Sequence, residues 1–267
     1  MNHRRVIALG FAALASFSLS AQRASGPGSR PPAKPSPARV ERAVPFRVGE
    51  TLTYDVSWSS YVTAGTAIAT VKEKKPSFNS TAYYIVAEGR PTPLLSKLYS
   101  LYYKLDTLLD SYTLLPQRGS SYSEEGNRHR FRTTRFDRTA QRVFFEFQSA
   151  TTMKADFPMR AYTQDVLSAI YVLRAVPFKV GDRMTMPVSD DGNNYTIQID
   201  IAAPERVKTS VGELSAWKLK PTIFDGKGQP QGQNVGIWIS DDARRLPVKF
   251  QAQLPVGSFV LTLREAR

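Results

Sequence analysis

An eight-residue phrase occurs twice, and its two positions constrain the fold more than any other feature of the chain. Ala43-Val44-Pro45-Phe46-Arg47-Val48-Gly49-Glu50 returns as Ala175-Val176-Pro177-Phe178-Lys179-Val180-Gly181-Asp182, and each charged difference keeps its sign. Each copy leads into a strand-like run, Leu52-Thr53-Tyr54-Asp55-Val56-Ser57-Trp58 and Met184-Thr185-Met186-Pro187-Val188. A spacing of 132 residues is too long for a solenoid unit. Two readings stay open: a duplication that left two related β-rich halves, or a common way of turning into a β-strand used twice. On both readings the phrase marks where two β segments begin.

The segments that follow read as antiparallel β. Leu52, Tyr54, Val56 and Trp58 alternate with polar residues, the period of two that marks a half-buried strand. Further strands are expected at 66–71, 81–88, 128–136, 142–147, 195–201, 205–211, 214–220, 232–239, 246–254 and 259–264, separated by turns such as Glu124-Glu125-Gly126-Asn127 and Asp190-Asp191-Gly192-Asn193-Asn194. Two segments read as helices. Thr92 caps a run with Pro93 in its first turn, and in 163–174 the residues Val166, Ile170 and Leu173 share one face. The pattern predicts a mainly β fold: a strongly curved antiparallel sheet or open β-barrel with one or two covering helices, in halves 45–162 and 175–267 joined by helix 163–174. A helix laid over the concave face would offer Val166, Ile170 and Leu173 to whatever lies inside, opposite Tyr54, Val56 and Trp58.

The N-terminus reads as an export signal. His3-Arg4-Arg5 precedes an apolar run of about 14 residues, and Ser18-Leu19-Ser20-Ala21 offers small residues for cleavage. That run is shorter than the ~20 residues a membrane span needs, and no other segment is apolar enough, so the mature chain is expected without a transmembrane segment, periplasmic or secreted. Residues 22–44, with Pro27, Pro31, Pro32, Pro35 and Pro37, read as a solvated linker ahead of a single domain at 45–267. The absence of cysteine excludes disulfides, thiolate metal sites and lipid attachment through a cysteine.

The chain carries +13; without Arg4, Arg5 and the linker's surplus of +4, the domain keeps +7. This suits an anionic envelope lipid or glycan, and export argues against nucleic acid. The sharpest basic feature is Arg128, Arg130 and Arg132, which fall on one face of a strand with His129 and Phe131 on the other. The row reads either as an anion surface or as a charged face that blocks edge pairing.

Catalytic chemistry finds little support. His129 is the only histidine beyond the signal, no G-x-S-x-G motif is present, and Asp190-Asp191 and Asp241-Asp242 read as turns. No cofactor and no metal site is expected.

Three stretches resemble one family. FRVGETLTYDVSW from Phe46, DVLSAIYVLR from Asp165 and IWISDDARRLPVKF from Ile237 are similar to the exported bacterial family called domain of unknown function 3108, over about residues 45–264. The resemblance implies an exported β-rich protein, similar to the incomplete barrels of periplasmic lipoprotein carriers, and transfers no catalytic residue. Within the last stretch, Asp241 or Asp242 is expected to pair with Arg244 or Arg245 and fix a hairpin. The function expected is non-catalytic binding of an apolar or amphipathic envelope ligand, such as a lipid, acyl chain or hydrophobic peptide. The alternatives are a structural or interaction protein with a filled core and, disfavoured, an envelope glycan hydrolase.

Overall fold

The computed structural model describes residues 39–58, 62–98, 100–231, 234–254 and 257–267, and in it the two copies of the repeated phrase make the same turn. Glu50 N–H donates to Arg47 O and Asp182 N–H to Lys179 O, each at 3.1 Å. Gly49 and Gly181 stand at φ +89° and +86°, where a side chain would be strained. Each turn is then pinned to a later strand by a reciprocal pair: Gly49 N–H to Val71 O with Val71 N–H to Glu50 O, and Gly181 N–H to Ile201 O with Ile201 N–H to Asp182 O. The expected signal peptide (1–21) and the linker as far as residue 38 lie outside the described residues. From Arg39 the chain already packs on the domain, earlier than the expected boundary at 45. Arg42 N–H donates to Ser111 O, Glu41 meets Lys74 and Ser111, and the Arg39 guanidinium lies over Tyr112.

Fifteen strands are present among the described residues: β1 Thr51–Trp58, β2 Val62–Ser77, β3 Ser80–Pro91, β4 Leu101–Asp110, β5 Pro116–Glu125, β6 Arg128–Asp137, β7 Arg142–Gln148, β8 Thr152–Pro158, β9 Arg183–Asp190, β10 Asn193–Thr209, β11 Gly212–Phe224, β12 Pro230–Gln231, β13 Asn234–Ser240, β14 Pro247–Leu254 and β15 Gly257–Ala266. They join one open antiparallel sheet in the order β8-β7-β6-β5-β4-β3-β2-β1-β15-β14-β13-β11-β10-β9, with β12 off this path beside β11. Helix α1 (Pro93–Leu98) links β3 to β4, and α2 (Val166–Ala175) links the two edge strands. Strands β4, β5 and β8 are not anticipated by the sequence pattern. β5 (PQRGSSYSEE) has almost no apolar residues, because part of its inner face lies under polar atoms of the α2 cap.

Near α2 the edges are stitched rather than closed. Gln164 N–H donates to Pro187 O at 2.9 Å and Ser189 N–H to Gln164 O at 2.8 Å, a single parallel bridge on the free edge of β9. Arg132 reaches Asp191 in the β9–β10 turn at 2.6 Å, and Gly192 of that turn abuts the Phe145 ring.

The sheet curls around α2. One side of the helix, Leu167 and Tyr171, packs with Phe46, Val71, Tyr83, Ile85 and Leu109 of the first half. The other side, Ala169 and Leu173, packs with Met186, Val188, Ile199, Leu219, Ile237 and Ile239 of the second. One helix touching strands from both arms of the order requires the sheet to wrap it. α2 is therefore a plug with buried residues on both sides, where the sequence suggested a lid with one apolar face.

The C-terminal end of the plug is fixed by Arg174, whose side chain is wholly buried. Its guanidinium forks onto Glu50 at 2.5 and 2.8 Å and donates to the carbonyls of Arg245 (3.0 Å) and Arg244 (3.2 Å). It also lies over the rings of Phe46 and Tyr171. Arg245 answers from the other side, bonding Val176 O at 2.6 Å and stacking 4.0 Å over Phe178. The expected ion pair inside the Asp241–Arg245 hairpin does not form. Asp242 Oδ1 instead accepts the backbone N–H groups of Arg244 and Arg245, and Asp241 accepts from Trp217 Nε1. This tightens the turn and leaves Arg245 free to lock α2.

A buried carboxylate stripped of its fork loses ~3–5 kcal/mol. Arg174→Met is therefore expected to lower unfolding stability by about that amount, and Arg174→Lys should not rescue it, because an ammonium cannot reproduce the planar fork. Urea denaturation at pH 7 measures both; a loss under about 1 kcal/mol for Arg174→Met contradicts the assignment.

Candidate functional site

The inner face of the sheet carries Val71, Ile85, Leu109, Leu219 and Ile237 onto α2, and strand alternation extends that face beyond the helix. In that extension Val56 stands opposite Leu261 and Trp58 opposite Phe259 across β1 and β15. Ala67 stands opposite Gly89, and Ala87 and Gly89 stand opposite Leu105 and Tyr103. The side chains form a trough. Its floor on β2 and β3 is made of the small residues Gly65, Ala67, Ala87 and Gly89. One wall is the Trp58–Phe259 pair, stacked 6.4 Å apart at 11°, and the other is Tyr103 and Leu105. These walls are partly exposed: Trp58 is 46% exposed, Tyr103 43% and Leu105 36%.

Beyond the Leu105 wall the same face turns polar. Ser121 and Ser123 lie opposite Leu105 and Tyr103, and Arg132 and Arg130 lie opposite those serines in turn. The Ser123 hydroxyl is buried and has no hydrogen-bond partner. Across three strands the lining passes from apolar to hydroxyl to guanidinium.

Where α2 begins, the interior holds a small polar pocket. Asp165 caps the helix: its carboxylate accepts from Ser168 N–H at 2.7 Å and from the Thr107 hydroxyl at 2.6 Å, and Ser168 Oγ accepts from Asp165 N–H. The carboxylate lies against Gly119, where a Cβ would come within 3.1 Å of Oδ2. Burial pushes Asp165 up to about 6 against its hydrogen bonds, and burial likewise raises Asp190 nearby. Arg138, drawn down to about 10 by burial, donates to Thr163 O and Pro116 O. The cavity between Asp165, Gly119 and Asp190 is about 30 Å³, room for water and nothing larger. No group of three or more histidine, cysteine or carboxylate residues suited to a metal occurs among the described residues.

The structure separates the six residues expected to line a ligand site. Val56 and Trp58 line the trough. Tyr54 is core: it is 4% exposed, and its hydroxyl donates to Pro247 O at 2.9 Å. Leu173 is buried and Ile170 packs against the same cluster, so neither faces a cavity. Val166 is 43% exposed at the end of the plug, beside Leu105 around the small pocket. Arg128, Arg130 and Arg132 do share the inner face, but as a free anion surface they need correction. Arg130 is paired with Glu125 at 2.8 Å and Arg132 with Asp191 at 2.6 Å, so internal carboxylates take up most of the row's charge. His129 lies on the outer face, 3.0 Å from the Tyr122 hydroxyl. Tyr103, Leu105, Phe259 and Leu261 were missed. The alternation of Leu101, Tyr103 and Leu105 signals an inner face, but it sits in a strand that the sequence pattern did not anticipate.

No helix among the described residues is long and apolar enough to cross a membrane. The family model described as "Protein of unknown function (DUF3108)" matches residues 53–264. None of the curated proteins matches the chain. Among solved structures, a beta-barrel-like protein of the domain of unknown function DUF1849 from Brucella abortus aligns over 82% of this chain and 97% of its own, with a TM-score of 0.51 at 11% identity. A protein with a YmcC-like fold from Bacteroides fragilis aligns over 85% of this chain and 100% of its own, with a TM-score of 0.36 at 10% identity. The first likeness shows a shared barrel-like fold.

Asp165 gives the site a pH signature. Its folded pKa lies above the unfolded value near 3.8, so the native state holds the proton more tightly, and stability present below pH 4 is lost as pH rises through about 6. The stability of the parent relative to Asp165→Asn should therefore fall by roughly 2–2.5 kcal/mol between pH 4 and 7. Paired denaturation curves across that range test this, and a constant difference refutes it.

Proposed function

We propose that this chain, which belongs to the DUF3108 family, is an exported, non-catalytic protein that binds an amphipathic envelope ligand, with the ligand's apolar chain in the trough beyond α2. The observation that carries the reading is the trough itself. An apolar inner face with a small-residue floor, one wall of stacked aromatics and one of Tyr103 and Leu105 continues past the end of α2. A contiguous, partly exposed apolar patch on a folded domain commonly marks a binding site. The lining becomes hydroxyl-bearing and then cationic on the far side of Leu105, which suits a chain with an anionic head directed toward Arg128. Export rests on the basic and apolar N-terminus.

The packed interior around α2 favours a second reading. A filled core is what a structural or interaction protein of the envelope needs, and the apolar trough would then seat a protein partner.

Titration with a lysophosphatidylglycerol below its micellar concentration separates the two. We expect one ligand per chain, and Ala67→Trp, which fills the trough floor, should weaken it at least about tenfold. Ile170→Ala, in the plug, should cost ~2 kcal/mol or more of stability and leave affinity within about twofold. No binding by the parent, or unchanged affinity in Ala67→Trp, hands the trough to the second reading.

A further inference from the structure

On the opposite face of the second half lies a groove with a chemistry unlike the trough's. Lys218, Trp238, Lys249 and Thr262 stand directly opposite one another across β11, β13, β14 and β15. They alternate with Leu219, Ile237 and Phe250, which pack toward α2, so the row lies on the sheet face away from the helix, and at its centre Trp238 packs with Val207, Ala216 and Leu246. The Trp238 indole is buried against Gly236, where any Cβ would come within 2.6 Å of the ring, and the ammonium groups of Lys218 and Lys249 sit over it at 5.2 and 4.5 Å. The groove has two lobes of about 570 and 380 Å³ that share Glu205, Lys249 and Gln251. That is the size range of ligand sites, ~300–1,000 Å³.

Its charge is not balanced internally. Both carboxylates in the lining are already engaged: Asp200 by Arg183 at 2.6 Å, and Glu205 by Trp238 Nε1 at 2.6 Å and Lys218 at 3.3 Å. Arg206, Lys208 and Lys220 line the groove without an ion pair of their own, beside the amides of Asn234, Gln251 and Gln253. A ligand that completes this surface brings negative charge, and it brings hydroxyls that both donate to and accept from amides. The one aromatic group there, Trp238, is covered by lysines and offers no face on which a base could stack. No large apolar side chain stands exposed among the groove residues to enter a bilayer.

We propose that this groove is a binding site for an acidic glycan, carrying carboxylate or phosphate on a sugar backbone, separate from the amphiphile trough and independent of it.

The test measures binding of polygalacturonate, a phosphorylated mannan, neutral dextran and polyphosphate to the full chain at near-physiological salt. The two acidic glycans should bind, and their relative strength tells which anion the groove prefers. Neutral dextran should not bind, and polyphosphate should bind at least about tenfold more weakly than the better glycan. Replacing Arg206, Lys208 and Lys220 together by Gln should weaken glycan binding at least about tenfold. A charge-matched control, Lys97, Lys154 and Lys179 to Gln, should change it by less than about twofold. Because all six residues are exposed, both variants should fold, and their melting curves check this. Ala67→Trp should leave glycan binding unchanged, so failure here is distinguishable from failure of the trough. Absence of glycan binding, equal loss in both triple variants, or polyphosphate bound as tightly as glycan would each overturn the proposal.

Discussion

Arg174 is the interaction on which the rest of the structure depends. It ends the plug helix, and four hydrogen bonds from its guanidinium serve Glu50 from the first copy of the repeated phrase and the carbonyls of Arg244 and Arg245 from the hairpin near the C-terminus. Arg245 closes the loop by holding the first residues of the second copy. The three stretches by which the sequence resembles its family thus meet at one guanidinium. A buried fork of this kind is expensive to desolvate and adds little net stability over a well-packed apolar alternative. What it supplies is position: the helix end, both turns and the hairpin have one arrangement in which every buried charge is satisfied.

That arrangement decides how the half-barrel can be used. With Arg174 at one end and the Asp165 cap on β4 and β5 at the other, α2 is tied at both ends and packed against both arms of the sheet. A helix so placed cannot swing to admit a ligand without uncovering a charge, a cap and two apolar clusters. Binding has to use the surface that the plug leaves uncovered. On the inner face that surface is the apolar trough past the helix, and on the outer face it is the cationic groove. One sheet therefore presents two surfaces of opposite character, because alternate residues of β15, Phe259 and Leu261 against Val260 and Thr262, point to opposite sides.

Much of the fold was legible in the sequence. The alternation in 52–58, the tandem phrase and the periodic segment at 163–174 place β1, both turns and α2 close to where they stand. The missed strands have physical reasons. β5 is polar along a face that meets the Asp165 carboxylate at Gly119, where a side chain would be tightly placed, and β8 is a short edge strand with little burial to pattern it. The site was legible only in part. Val56 and Trp58 stand on the trough face because they continue a strand of visible period, whereas Tyr54 on the same face is core. Alternation tells which face a side chain takes and not how far along the strand the helix covers it. A one-sided apolar stripe suggests a lid and turns Ile170 and Leu173 toward a ligand. The second buried side of α2, with Leu167 and Tyr171, was present in the sequence but gained its meaning only when the sheet was seen to wrap the helix.

The central claim is that α2 is a fixed plug and that the amphiphile enters beyond it. Hydrogen exchange of the native protein, with and without lysophosphatidylglycerol, tests this directly. A fixed plug predicts that amides 169–174 exchange only through global unfolding, as slowly as those of β1 and β13, and that ligand leaves their protection relative to those strands unchanged while slowing exchange at 56–58 and 103–105. Fast exchange across 169–174 that slows when ligand is added would make α2 a lid and contradict the claim.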